Sequence, residues 1–321
     1  MLTFLVRRSI GAVLVCIAVT FIVFLIFIVV PGGDPAQRIA GKNATPQNII
    51  NIRHSWGFDQ PFYTQYWDML KNMFSGNLVS YTSQQNVISQ IVQGMPATFS
   101  LTVGAGIIWL FFGILVGVLS AVTAGRLSDR VITVLALIGI SMPVFWLGEV
   151  LNLITQDRLH DTFLFSWVPP LGYVPFTQNP WQWFLHLVIP WISLSILYIG
   201  FYARVLRADL LDIQNEDYVR TARAKGLSPR SVLLRHMLRT SMITFVSLFG
   251  LDFGVLVGGG ALLTEVVFGL PGVGLLTYRS LVSLDLPVIM ATVIYGAFFI
   301  TIMSALVDIV YARLDPRIRP T

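Results

Sequence analysis

Cysteine is nearly missing from this chain. Cys16 is the only one in 321 residues and lies inside an apolar run, so no intramolecular disulfide is open to it and it reads as a packing residue. Lysine is scarce too, with three. A phosphate-binding loop needs G-x-x-x-x-G-K-[ST], so that backbone N–H groups and the lysine can hold the phosphates. The one Gly-Lys pair, Gly41-Lys42, is followed by Asn43 and has Ala36 where the first glycine belongs. Energy for any active process therefore has to come from another polypeptide or an ion gradient. His54, His160, His186 and His236 are the only histidines and are too scattered to suggest a metal site. No Ser/His/Asp or Cys/His constellation is recognisable, which argues against a membrane-embedded enzyme. Charge is sparse as well, at 12% of residues.

What fills the chain instead is apolar. Hydrophobic residues make up 55%, with 22 Phe, and the mean hydropathy is +0.75, more than a water-soluble fold of this length carries. Crossing a bilayer takes about 20 mostly apolar residues. Six segments are predicted to do so, near 9–30, 98–123, 131–154, 187–206, 241–263 and 287–311. The first follows Arg7 and Arg8, but its 22 apolar or small residues exceed the roughly 7 to 15 of a signal-peptide core, so it reads as an uncleaved anchor. With the N-terminus inside, 15 Lys and Arg fall in inner segments and 6 in outer loops, as the positive-inside rule requires. Both termini are thus expected to be cytoplasmic. The net charge of +5 is explained by those inner segments without invoking nucleic acid.

The resulting plan has a transmembrane anchor at 1–30, an extracytoplasmic loop at 31–97, a five-helix core at 98–311 and a cytoplasmic tail at 312–321. Within the outer loop, FYTQYWDMLKNMF is the best helix candidate. A second outer loop, 155–186, is rich in Pro and Trp. Residues 264–286, TEVVFGLPGVGLLTYRSLVSLDL, are too polar to span and too apolar to float, so a re-entrant or interfacial segment is expected.

The only substantial inner loop, 207–240, contains the most charged stretch of the chain, EDYVRTARAKGLSPRSVLLRHMLR. Asn215 is the expected N-cap of a first short helix, closed by Gly226, and Ser228 with Pro229 is expected to start a second. A DNA-binding helix-turn-helix is disfavoured because the loop is tethered at both ends and lacks a third helix to build a core. The second helix has an apolar stripe, Leu233, Leu234, Met237 and Leu238, suited to lying on anionic lipid. The first presents Tyr218, Val219, Ala222 and Gly226 with Lys225 at the edge, a small-residue face suited to a cleft on a soluble cytoplasmic protein.

YVRTARAKGL, 218–227, resembles the cytoplasmic EAA loop of ABC importer permeases in the dipeptide, oligopeptide and nickel importer family. Further similar pieces follow in order: RRSIGAVL near the start, PGGDPA at 31–36, FDQPFYTQYW at 58–67, PATFSL at 96–101, ISMPVFWLG at 140–148, HLVIP at 186–190 and LDPRIR at 314–319. The resemblance implies an all-α integral membrane protein of the bacterial cytoplasmic (inner) membrane, with six transmembrane helices in the type I ABC importer permease fold. It further implies a second homologous permease subunit, two cytoplasmic ATPase subunits that carry ATP and magnesium, and an extracytoplasmic solute-binding protein, with no cofactor in this chain. Carried over by position, Arg220, Thr221 and Ala222 stand where the generic motif has Glu-Ala-Ala, Gly226 stands at its glycine, and Arg239 stands at its closing proline. The coupling residues so implied are Tyr218, Val219, Arg220, Thr221, Ala222, Lys225, Gly226 and Leu227. Peptides are the default substrate by resemblance, with nickel, glutathione, haem or oligosaccharides carried by close relatives. The competing reading is a secondary transporter or channel that works without ATPases.

Acidic residues at membrane depth cost roughly 2.5 to 3.5 kcal/mol and need an explanation. Asp308 is expected to pair with an Arg. Glu149 and Asp252 divide between lining the translocation path and making a helix–helix polar contact. Gly250, Gly254 and Gly258 recur every fourth residue. That stripe is open to two readings, packing within the bundle or packing against the partner permease beside the pore.

Overall fold

A computed structural model of the chain describes residues 2–29, 34–41 and 44–314. The start of PGGDPA, most of LDPRIR and the side chain of Asp308 lie outside the described residues, and with them the pairing expected of Asp308.

The chain is helical nearly throughout. The first helix, α1, runs Leu2–Val29. Three short helices follow, α2 (Pro35–Ala40), α3 (Pro46–Ser55) and α4 (Phe62–Phe74). The last of these is the FYTQYWDMLKNMF segment. Helix α5, Val87–Val122, is capped by Asn86, whose side chain accepts the Ser89 N–H at 3.0 Å. After it come α6 (Leu127–Ser141), α7 (Val144–Asn152), α8 (Pro180–Ile213), α9 (Asp217–Ala224), α10 (Pro229–Gly260), α11 (Leu262–Val267), α12 (Val273–Ser283) and α13 (Leu286–Leu314). Helices α5, α8, α10 and α13 are each long and apolar enough to cross a membrane.

Three expectations change. The segment 131–154 is not one straight span: α6 and α7 meet at 95° across Met142 and Pro143. Proline biases the residue before it to extended backbone, and Met142 has ψ 127°, so the helix must stop and restart there. The spans around the inner loop are longer than their apolar runs. Helix α8 continues to Ile213 and α10 begins at Pro229, leaving only 214–228 of the 207–240 loop between them. The second short helix of the loop is therefore the first turns of α10. Its Val232 and Met237 are buried, and Leu233 and Leu238 pack against the core, so only Leu234 of the expected lipid stripe is freely exposed.

Helices α5 and α8 pack along much of their length, α10 lies on α13, and α1 lies on α13 too. Gly250, Gly254 and Gly258 face α13 of their own chain. A Cβ on Gly250 would come within 2.0 Å of Val307 Cγ2, on Gly254 within 2.7 Å of Met303 Cβ, and on Gly258 within 2.9 Å of Gly296 Cα. The stripe is thus a close contact inside this bundle, and it is already occupied where a partner permease was the other expectation.

Candidate functional site

At one end of the bundle α9 sits across the gap between α8 and α10. Glu216 occupies its N-cap position in place of the expected Asn215, without a side-chain cap bond. Asp217 remains in the first turn, where the helix dipole favours an anion. At the other terminus Gly226 adopts φ +78°, a left-handed conformation that closes the helix, and Ser228 then accepts the Ser231 N–H at 3.4 Å to start α10. The first turns of α10, Val232–Met237, are widened into a π-helical stretch.

The eight expected coupling residues divide in two. Val219 is fully buried and Ala222 is 5% exposed, both in the same core as Leu206, Leu210, Val232 and Met237. Tyr218, Arg220, Thr221, Lys225, Gly226 and Leu227 are exposed. So the small face expected to enter a cleft on another protein is partly turned inward. Helix α9 stands on Val219 and Ala222, and it offers outward a cationic, polar rim. Tyr218 O–H donates to Thr240 Oγ1 at 3.3 Å, tying the helix to α10.

Beneath this helix is a group the sequence reading missed. Asp129, 3% exposed at the start of α6, takes both arms of Arg207: Nε to Oδ1 at 2.7 Å and Nη2 to Oδ2 at 2.8 Å. Ser120 Oγ donates to Oδ1 at 2.6 Å and the Gly125 N–H to Oδ2 at 2.9 Å. One carboxylate thereby fastens the end of α5, the turn after it, α6 and α8, next to the elements that carry α9.

The opposite end is held by two further buried carboxylates. Glu265 of α11 is fully buried; it accepts Thr98 Oγ1 of α5 at 2.7 Å and the Leu275 N–H of α12 at 2.8 Å. Thr98 Oγ1 in turn accepts the Val273 N–H at 2.8 Å. The glycines of the PGVG turn are explained by this carboxylate, since a Cβ on Gly272 or Gly274 would lie within 2.4 or 2.9 Å of it. Asp285, 3% exposed just before α13, accepts Ser80 Oγ at 2.5 Å and the N–H groups of Tyr81 and Thr82, each at 3.1 Å. Burial first, and then that carboxylate, push the Tyr81 phenol above its ordinary value.

Of the two intramembrane candidates, Asp252 accepts the Tyr202 O–H at 2.6 Å, joining α10 to α8 beside the stacked Trp109 and Tyr198 rings. It is half-buried. Glu149 is exposed on α7 and has no hydrogen bond or ion pair among the described residues. The structure does not bring the two together into one site.

Family models match both parts of the chain, one described as binding-protein-dependent transport system inner membrane component over residues 113–320 and its N-terminal counterpart over residues 1–102. The chain belongs to this family. It is 35% identical over 320 residues to a putative peptide transport system permease protein of Brucella abortus (strain 2308), covering 99% of each chain. Against the glutathione transport system permease protein GsiC of Escherichia coli (strain K12) it is also 35% identical over 320 residues and 99% of each chain. Among solved structures it is similar to the MetNI methionine ABC transporter in an inward-facing conformation. The TM-score is 0.55 and the identity 18%, over 71% of this chain and 97% of that one. At that identity the likeness bears on fold alone. The chain is a multi-pass bacterial inner membrane protein and a permease subunit of an ABC importer. The family is one of transport components and not of catalytic subunits.

Proposed function

We propose that this subunit forms half of an importer pathway for peptides or a related small solute, and that it receives work from cytoplasmic ATPases through α9. The observation that carries the reading is the build of α9: rooted by two buried residues between two long helices, with a cationic rim left outward. A push on such a rim is passed to α8 and α10 together. Charge asymmetry supports a six-span arrangement with both termini and α9 in the cytoplasm, the first span at 1–30 serving as anchor. Residues 31–97 and the α11–α12 segment then face the extracytoplasmic side, where a solute-binding protein delivers substrate. ATP and magnesium belong to the two ATPase subunits, and a second homologous permease supplies the other half of the pathway. The peptide class rests on the Brucella relative's description, and glutathione, itself a tripeptide, falls in the same chemistry.

Glu149, exposed and without an ion pair among the described residues, is the better of the two acids for the pathway, where it suits a cationic or amino-terminal group of the substrate. The test is transport by proteoliposomes holding the full complex. ATP-dependent uptake that fails without the ATPases supports the reading. Uptake by this chain alone, driven by an ion gradient, assigns it to the secondary transporters or channels instead.

A further inference from the structure

Helix α4 has two apolar edges where one would suffice to hold it. The inner edge is spent on packing. Met69 and Met73 are buried, and the Tyr66 ring meets Phe21 and Phe24 of α1 at centroid distances of 5.4 and 5.2 Å. The Tyr66 hydroxyl reaches the α1 backbone at the Ile17 carbonyl, 3.2 Å away, and shares a hydrogen bond with Thr20 Oγ1 at 3.0 Å. The outer edge is Tyr63, Trp67, Leu70 and Phe74, spaced four, three and four residues apart on one stripe. Leu70 is half-buried and packs against the core, but the rest of the edge has little cover from this chain: Tyr63 is 64% exposed, Trp67 66% and Phe74 81%. Thr64, Gln65, Asp68, Lys71 and Asn72 occupy the remaining arc.

Two observations identify the cover. Ile17 and Thr20 stand well before the last α1 residue, Val29, by about 14 to 18 Å at 1.5 Å per residue. Helix α4 is therefore folded back along α1 and not carried clear of it. The α1 surface around that level exposes Val13, Leu14, Ile17, Phe21 and Ile22, as a membrane helix that meets lipid does.

We propose that α4 packs back along the first span at membrane depth and that its Tyr63, Trp67 and Phe74 contact lipid acyl chains, seating the segment after that span in the bilayer. The proposal needs only that the chain is in a membrane and does not depend on the substrate or the ATPases.

The experiment places one nitroxide at a time on the full chain in nanodiscs of phosphatidylethanolamine and phosphatidylglycerol, on a Cys16→Ser background. Tyr63→Cys, Trp67→Cys and Phe74→Cys test the outer edge; Thr64→Cys, Asp68→Cys and Asn72→Cys test the polar arc. The ratio of collisions with oxygen, which partitions into lipid, to collisions with a water-soluble nickel chelate should be severalfold higher on the edge than on the arc. In a Phe74→Cys chain, Trp67→Asp should lower that ratio and Trp67→Leu should keep it. Equal ratios on edge and arc overturn the proposal. So does immobilisation of the edge labels, with loss of both kinds of collision, only when a second permease or an extracytoplasmic binding protein is added, since the edge is then a protein interface.

Discussion

Two inserts of short helix interrupt the long helices, one at each end of the bundle, and they are built on opposite plans. Helix α9 buries Val219 and Ala222 and leaves its other residues outside; Tyr218 to Thr240 is its one side-chain bond to the next helix. The α11–α12 insert buries Thr264, Glu265, Phe268, Leu270, Val273, Gly274 and Leu275, and it is clamped to α5 through Thr98. The contrast fits the two tasks proposed for them. An insert that hands movement to another protein needs an exposed rim on a small, firm root. One that closes the far end of the bundle is made as core, its polar groups satisfied internally.

If that division holds, substitutions should trade stability against coupling along a graded series. Glu265→Ala is expected to cost the most stability, because Thr98 O–H and Leu275 N–H lose their acceptor in a buried setting. Two such donors amount to about 3 kcal/mol, read as a lowered melting temperature of the purified subunit in detergent. Gly226→Val is next. There is open space at that position, so its cost is the left-handed backbone, about 1 to 2 kcal/mol. It should tilt or fray the end of α9 and reduce uptake more than melting. Asp129→Ala frees Arg207 at the root of the same end. Arg207 is 30% exposed and Gly125 is exposed, so water can take over their bonds; the buried Ser120 hydroxyl alone is left without its acceptor, and the loss should be nearer about 1 kcal/mol. Equal melting losses for Glu265→Ala and Asp129→Ala would show that the two ends are held alike.

Much of this was legible in the residues and some was not. The long helices announced themselves by apolar runs, α4 by its pattern, and the start of α10 by Ser228-Pro229, because those signals are local. The extension of α5 back to Val87 and of α8 on to Ile213 lay outside the apolar runs, since a helix may continue past the hydrocarbon without staying apolar. The three buried carboxylates were passed over for a different reason. Thr98 and Glu265 are 167 residues apart, Ser80 and Asp285 are 205 apart, and Asp129 and Arg207 are 78 apart. Attention to acids inside apolar runs selected Glu149 and Asp252, whereas the acids that hold the bundle sit at helix ends, where backbone N–H groups are free to receive them. Ala222 misled in a similar way: its size suits a cleft on another protein, but the cleft it fills is between α8 and α10.

The smallest expected effect on stability is at the exposed rim itself. Arg220→Glu with Lys225→Glu should leave melting within about 0.5 kcal/mol of the parent, as surface changes do. That double variant also supplies the most direct measurement: the amount of ATPase retained by the tagged permease complex in detergent, alongside uptake in proteoliposomes. Loss of both at an unchanged melting temperature is the result predicted for a rim that faces the ATPases. Full retention and full uptake would contradict the assignment of α9 as the coupling element.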